Sequence, residues 1–184
     1  MKTQQEIIEH ILILRAQHGH ADALERLIDR YHGRLLYYVR KWVGNDEQAK
    51  DILQIVWLDV FQTIGTLRSA DAFSVWLYRI ARNKAVQHIR RDSQLVSLDP
   101  RQLEETVDEP EPELDESNAR NINRGLERLN PLHRDVLVLR FLEEMSYEEI
   151  ADVVGCSVGT VRSRIHYAKK SLKTLLEEMN HEPE

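Results

Sequence analysis

Apolar residues recur at helical intervals along most of the chain. Ile7, Ile8, Ile11, Leu12 and Leu14 do so after Thr3 and predict a first helix with these residues as its apolar side. Leu24, Leu27, Ile28, Tyr31, Leu35, Tyr38 and Trp42 mark a longer helix that Gly44 ends. Asn45-Asp46-Glu47-Gln48 has the N-cap and glutamine spacing of a capping box. It opens a third helix whose inner side is Leu53, Val56, Trp57, Val60 and Ile64. Gly65 breaks that helix, a polar loop follows, and Ala70 to about Arg91 predicts a fourth. There Phe73, Trp76, Leu77 and Ile80 share a face and are expected in the core, which leaves Tyr78 as the aromatic expected to be partly exposed. No run alternates as a half-buried strand would. The expected fold is all-α, with a four-helix bundle over residues 1–91.

The pattern resumes near residue 117. Asn118 to Leu129 predicts one helix, and Asn130-Pro131 sets the next boundary. Pro131 to about Glu144 predicts a helix burying Leu132, Val136, Leu137, Leu139 and Leu142. Ser146-Tyr147-Glu148-Glu149 is a second capping box, leading a short helix with Ile150, Ala151 and Val154. Gly155 turns the chain, and Ser157 caps a last helix to about Met179. A short and a long helix around a glycine-containing turn predict a helix-turn-helix within residues 117–184.

Composition at first points away from nucleic acid. The 184 residues carry 25 Lys+Arg, 31 Asp+Glu and a net charge of −6, whereas nucleic-acid binders usually carry a basic excess. The distribution reverses that reading. Residues 1–91 are net +4, residues 92–116 net −9 and residues 117–184 net −1. The acidic stretch holds three of the five prolines, Pro100, Pro110 and Pro112. Proline-spaced like charge forms neither core nor helix, so residues 92–116 are expected to be a flexible acidic linker. Arg79, Arg82, Lys84, Arg90 and Arg91 follow one another without an acid, interleaved with aromatics at the start of their helix. That combination suits a partly single-stranded nucleic acid. Arg162, Arg164, Lys169, Lys170 and Lys173 likewise follow Ser157 without an acid, while Glu143, Glu144, Glu148, Glu149 and Asp152 sit before it. Such segregation is expected of a helix that faces phosphate.

Other chemistry finds little support. The longest apolar stretches, such as Ile11 to Leu14, are too short to span a bilayer, and no signal-peptide apolar region follows Met1 to Glu6. One cysteine, Cys156, excludes an internal disulfide and fits a reducing, cytoplasmic setting; in its turn it reads as a small semi-buried thiol. His18 and His20, with His10 and His32 nearby, lack a cysteine or carboxylate at ligand spacing, so no metal site is expected. There is no phosphate-binding glycine loop, no nucleophile elbow and no H-E-x-x-H, so neither enzyme activity nor a cofactor is expected.

Three segments carry a family resemblance. Phe73-Ser74-Val75-Trp76-Leu77-Tyr78-Arg79-Ile80-Ala81-Arg82-Asn83-Lys84-Ala85 resembles the promoter −10-reading helix of extracytoplasmic-function (ECF) sigma factors of the sigma-70 family. Gly159-Thr160-Val161-Arg162-Ser163-Arg164-Ile165-His166 resembles that family's −35-reading helix, and Met145-Ser146-Tyr147-Glu148-Glu149-Ile150-Ala151 the helix before it. The resemblance runs in order from Ala21 to Leu176. It implies an alternative initiation subunit of bacterial RNA polymerase whose first domain binds the clamp of the largest core subunit and captures the melted −10 strand. A base would flip into a pocket near the loop from Gly65 to Ala72. Tyr78, Arg79, Arg82, Asn83, Lys84, Arg90 and Arg91 would then line the −10 path. Ser157, Thr160, Arg162, Ser163, Arg164, His166, Lys169 and Lys170 would serve the −35 duplex, with Arg162 and Arg164 as bidentate contacts. The second domain would meet the polymerase flap, and the linker would thread the basic RNA-exit side as a partial mimic of RNA.

The sequence departs from the family pattern in three places. An acidic cluster resembling Asp-Ala-Glu-Asp, followed by Gln-Glu, is here Gln48-Ala49-Lys50-Asp51 and then Gln54-Ile55. Core contact would rest on Asp46, Glu47, Asp51, Gln54 and Asp59. Either this is ordinary drift, or phosphorylation at Thr63 or Thr66 by a protein kinase supplies the missing charge. Gln87 stands where an aspartate is common, and Tyr167 where an arginine is. An anti-sigma factor is a further partner the resemblance suggests. Two other readings stay open: a helix-turn-helix repressor or activator that binds duplex on its own, and an adaptor of the transcription machinery that reads no DNA.

Overall fold

The computed structural model describes residues 3–92 and 119–181, and the chain divides into two compact units, Met1–Val96 and Ser97–Glu184. Unit 1 contains α1 (Gln4–Gln17), α2 (Ala21–Val43), α3 (Asp46–Thr63) and α4 (Phe73–Asp92), with short 3-10 turns at Ile64–Thr66 and Ala70–Ala72. Unit 2 contains α5 (Ala119–Arg128), α6 (Pro131–Leu137), a π-helical turn (Val138–Leu142), α7 (Tyr147–Val154) and α8 (Val158–His181). No strand occurs among the described residues. The expected linker, residues 92–116, lies outside them except for Asp92, the last residue of α4.

Local chemistry sets the helix ends. The Thr3 hydroxyl accepts from Glu6 N (3.3 Å), and the Glu6 carboxylate accepts from Thr3 N (2.6 Å), so α1 opens on a reciprocal capping box. Asn45 starts α3 by accepting from the amides of Glu47 (2.8 Å) and Gln48 (3.1 Å). Gly44 closes α2 in the left-handed region at φ 71°, which glycine enters without a Cβ penalty.

The core of unit 1 is built from α2, α3 and α4. Leu27, Tyr31, Leu35, Tyr38 and Trp42 of α2 meet Ile52, Leu53, Val56 and Val60 of α3 and Phe73, Leu77, Tyr78, Ala81 and Ala85 of α4. The inward face of α4 is therefore rotated from the expected one. Trp76 and Ile80 are half-buried, while Tyr78 is wholly buried with its ring edge-on to Tyr38 at 5.2 Å. The expectation of a partly exposed Tyr78 fails because Tyr38 reaches across from α2 and draws that ring into the core.

α1 shows a similar rotation. Leu12, Ile13 and Ala16 face inward, whereas Ile7, Ile8, Ile11 and Leu14 are about half exposed. The helix is apolar on two sides, and polar anchors decide between them. The Glu9 carboxylate accepts from the Tyr31 hydroxyl (2.5 Å) and pairs with Arg30 (2.9 Å), which turns the Glu9–Leu12–Ile13–Ala16 side onto α2.

In unit 2, Leu126, Leu129, Val136, Leu137, Leu139, Ile150, Val161, Ile165, Ala168 and Leu172 form the core. The helix expected from Pro131 to Glu144 is not uniform. Glu143 N bonds Val138 O at 3.2 Å, an i to i+5 step. The extra residue in that turn swings Phe141 and Leu142 outward, so Leu142 is exposed instead of buried as expected. Met145 is buried in its stead, and Glu144 takes a left-handed φ of 57° at the exit.

Candidate functional site

Unit 1 displays two distinct outer faces. On α4, helical spacing sets Arg79, Asn83 and Arg90 along one stripe, away from the Phe73–Leu77–Ala81–Ala85 side. These three and Arg91 are exposed. Arg82 is half-buried, its guanidinium over the Trp42 ring at 5.4 Å. Lys84 is half-buried and paired with Asp59 of α3 at 2.5 Å. A shallow open depression beside the stripe is lined by Arg82, Asn83, Gln87, Arg90 and Arg91, with Asp59 from α3. Of the residues expected along the −10 path, the structure thus exposes four, engages two within the unit and buries Tyr78.

The outer face of α3 differs in kind. Glu47, Asp51 and Gln54 are exposed on the side opposite Ile52, Leu53, Val56 and Val60. Asp46 is exposed at the helix start, where it pairs with Arg40 at 3.3 Å. Among them stand three large apolar residues that sequence reasoning passed over, Ile55, Leu58 and Phe61, the last two 60% and 66% exposed. Their signal was available, since they continue an apolar row at intervals of three residues outside the core register. An exposed apolar row with a polar rim marks an interaction surface. Thr63 and Thr66 are exposed at the end of α3, their hydroxyls donating to Asp59 O (2.6 Å) and Thr63 O (2.7 Å).

In unit 2 the capping box of α7 forms as expected. Ser146 Oγ accepts from Glu149 N at 3.1 Å, and the Glu149 carboxylate accepts from Ser146 N at 2.7 Å. Gly155 turns the chain at φ 75°, and Ser157 Oγ accepts from Thr160 N at 3.0 Å to start α8. Ser157, Arg162, Lys170 and Lys173 are exposed, and Thr160 is half-buried.

Four residues expected at the duplex are buried instead. Arg164 lies on the shoulder of the Val161–Ile165–Ala168–Leu172 face, which carries its guanidinium inward to 3.9 Å from Cys156 Sγ. Burial of the His133 ring, and secondly the Arg164 charge, hold that histidine below its ordinary range. Lys169 folds over the Phe141 ring at 5.1 Å, its aliphatic stem covered. Ser163 Oγ donates back to Thr160 O (3.1 Å), and the His166 ring stands edge-on to Tyr167 at 5.3 Å. Of the two arginines expected as bidentate contacts, Arg162 is presented outward and Arg164 is buried.

Unit 1 is thus a helical bundle with a basic outer helix, and unit 2 carries a helix-turn-helix. The family model for Sigma-70 region 2 matches residues 27–94, and that for Sigma-70 region 4 matches residues 119–172. The RNA polymerase sigma-H factor of Pseudomonas aeruginosa is 33% identical over 96% of this chain and 97% of its own. The ECF RNA polymerase sigma-E factor of Escherichia coli is 30% identical over 91% of this chain and 94% of its own. The RNA polymerase sigma factor YlaC of Bacillus subtilis is 30% identical over 84% and 92%. Among solved structures, CnrH in complex with the cytosolic domain of CnrY shares the fold at TM-score 0.68 and 23% identity, over 93% of this chain and 98% of CnrH. The chain belongs to the sigma-70 family, as an ECF sigma factor. No helix among the described residues is long and apolar enough to cross a membrane.

Proposed function

We propose that the chain binds core RNA polymerase and directs initiation at promoters with −10 and −35 elements. Unit 1 takes the melted −10 strand along Arg79, Asn83, Arg90 and Arg91, with the loop from Gly65 to Ala72 receiving a flipped base. The α3 face of Asp51, Gln54, Ile55, Leu58 and Phe61 meets the polymerase clamp, with Asp46 and Glu47 at its rim. The start of α8, with Ser157, Thr160 and Arg162, enters the −35 major groove, and Lys170 follows the phosphates. One observation supports this above the others: Arg79, Asn83 and Arg90 form an exposed stripe on α4 free of acids. A repressor that needs only unit 2 has no use for it.

The apolar row on α3 also bears on the depleted acidic cluster. Ile55, Leu58 and Phe61 offer contact area where charge is missing, which favours drift over modification at Thr63 or Thr66. A protein that occludes these faces, as an anti-sigma factor would, belongs to the same reading. CnrH was solved with CnrY, and the Bartonella quintana sigma factor RpoE with the anti-sigma factor NepR.

The test is capture of core polymerase by the purified, unmodified chain, followed by run-off transcription. Core-dependent initiation at a specific promoter is expected, with Arg162→Ala costing about 1–3 kcal/mol at the −35 element. Duplex binding that needs no polymerase would favour the repressor, and capture of core without promoter reading the adaptor. A requirement for phosphate on Thr63 or Thr66 would restore the modification reading.

A further inference from the structure

The loop from Gly65 to Ala72 is held from outside its own hairpin. Gln17, the last residue of α1, sends its amide nitrogen to Leu67 O (2.7 Å) and Ile64 O (3.2 Å). Both partners are carbonyls, which only accept, so the side-chain nitrogen and not its oxygen must face them. The NH2 group has two protons, and the two carbonyls use both. Near the other end of the loop, His10 Nε2 lies 3.0 Å from Asp71 Oδ1. Arg68 and Ser69 stand exposed between these two clasps.

An eight-residue loop with a polar, exposed tip would otherwise lose considerable conformational entropy on fixing a base, about 1–2 kcal/mol per residue ordered. Bonds that fix its backbone beforehand remove part of that cost from the binding step. The bonds come from α1, which precedes the residues matched by the region 2 family model.

We infer that Gln17 is a positioning residue for −10 strand capture: its amide clamps the Ile64 and Leu67 carbonyls and pre-shapes the loop that receives the flipped base. His10 assists at Asp71. The inference rests on the proposed −10 role of that loop. Gln17 acts through backbone shape, without contact to DNA.

The experiment uses the full chain with core polymerase and single-stranded DNA selected by the wild-type complex from a random pool. Gln17→Glu keeps shape but offers only acceptors to the two carbonyls, whereas Gln17→Lys keeps donors. Gln17→Glu is expected to weaken strand capture about tenfold, equivalent to about 1.4 kcal/mol, and to flatten base preference at the flipped position. Gln17→Lys is expected to retain most of both. Core binding and thermal midpoint, measured alongside, report whether unit 1 stays folded. Equal capture and equal base preference in all three proteins overturn the inference. So does equal loss in both variants, or loss matched by a fallen midpoint, because a merely structural amide would behave that way. If the wild-type complex selects no strand at all, it is the −10 reading of unit 1 that fails.

Discussion

Tyr78 and Arg79 are neighbours in sequence with opposite surroundings. Tyr78 is wholly buried against Tyr38, and Arg79 is exposed on the far stripe of α4. Tyr78→Ala is expected to cost about 3–5 kcal/mol of stability, the range for losing a buried aromatic. Arg79→Ala is expected to stay within about 0.5 kcal/mol while weakening −10 capture. Urea unfolding of the two variants checks this, and equal midpoints would return Tyr78 to the surface. Arg162 and Arg164 repeat the contrast in unit 2, since one is exposed and the other sits at Cys156. His133 gives a pH dependence of definite sign. Burial, and secondly Arg164, hold its folded pKa below the ordinary value. As pH falls through about 6.5, the unfolded chain takes up a proton at this ring that the folded unit resists. The His133 contribution to stability is thus fully present above that range and declines as pH drops toward the folded pKa. The ring's NMR titration midpoint should lie below that of a free histidine, and His133→Gln should remove this share of the acid-side loss. A midpoint at or above the ordinary value would contradict the burial argument.

At the level of elements, what could be read from sequence was what is decided locally. The box at the start of α7 closes between Ser146 and Glu149 within one turn, and so its residues predict it. Ser146→Ala is accordingly expected to cost about 1 kcal/mol, read as a fallen thermal midpoint of the chain's second unit. The rotations of α1 and α4 were not legible, because both helices carry apolar residues on more than one side. Glu9 in the grip of Tyr31 and Arg30 decides the first case, and Tyr38 against Tyr78 the second. Those choices are made by partners more than twenty residues distant. The π turn at Val138–Leu142 was hidden for a different reason: nothing in periodicity marks an i to i+5 bond. Site legibility followed the same line. Exposed Arg79, Asn83 and Arg162 stood out by charge or motif, whereas the α3 row of Ile55, Leu58 and Phe61, regular in spacing, carries neither charge nor motif to set it apart from the core hydrophobics. That row yields its own prediction. Leu58→Asp with Phe61→Ser should leave stability near wild type, since both side chains are exposed, while sharply weakening capture of core polymerase. Undiminished capture would remove α3 from the interface.

For the molecule as a whole, the net charge of −6 is a property of residues 92–116, and the remainder is net +3. A total therefore says little about partners when opposite charges occupy different segments. Structure refines the count again, because formal positive charge and presented positive charge are not the same. Lys84 is spent on Asp59, Arg164 lies at Cys156, and Lys169 covers Phe141, whereas Arg79, Arg90, Arg162 and Lys170 face outward. Salt dependence separates the two groups. Each phosphate neutralised releases counterions, and on duplex the logarithm of affinity falls against the logarithm of salt by about 0.9 per contact, about 0.7 on a single strand. For the complex of this chain with core polymerase on a promoter, Lys170→Ala should lower that slope by about one contact on duplex. Arg90→Ala should lower it by the smaller single-strand amount. Lys169→Met preserves the stem over Phe141 and removes only the charge, so it should leave the slope where it was. Affinity measured across a salt series for the three variants decides the matter. A slope that falls as far for Lys169→Met as for Lys170→Ala would mean that Lys169 leaves Phe141 for phosphate when DNA binds, and that the outward face of α8 is broader than the free protein presents.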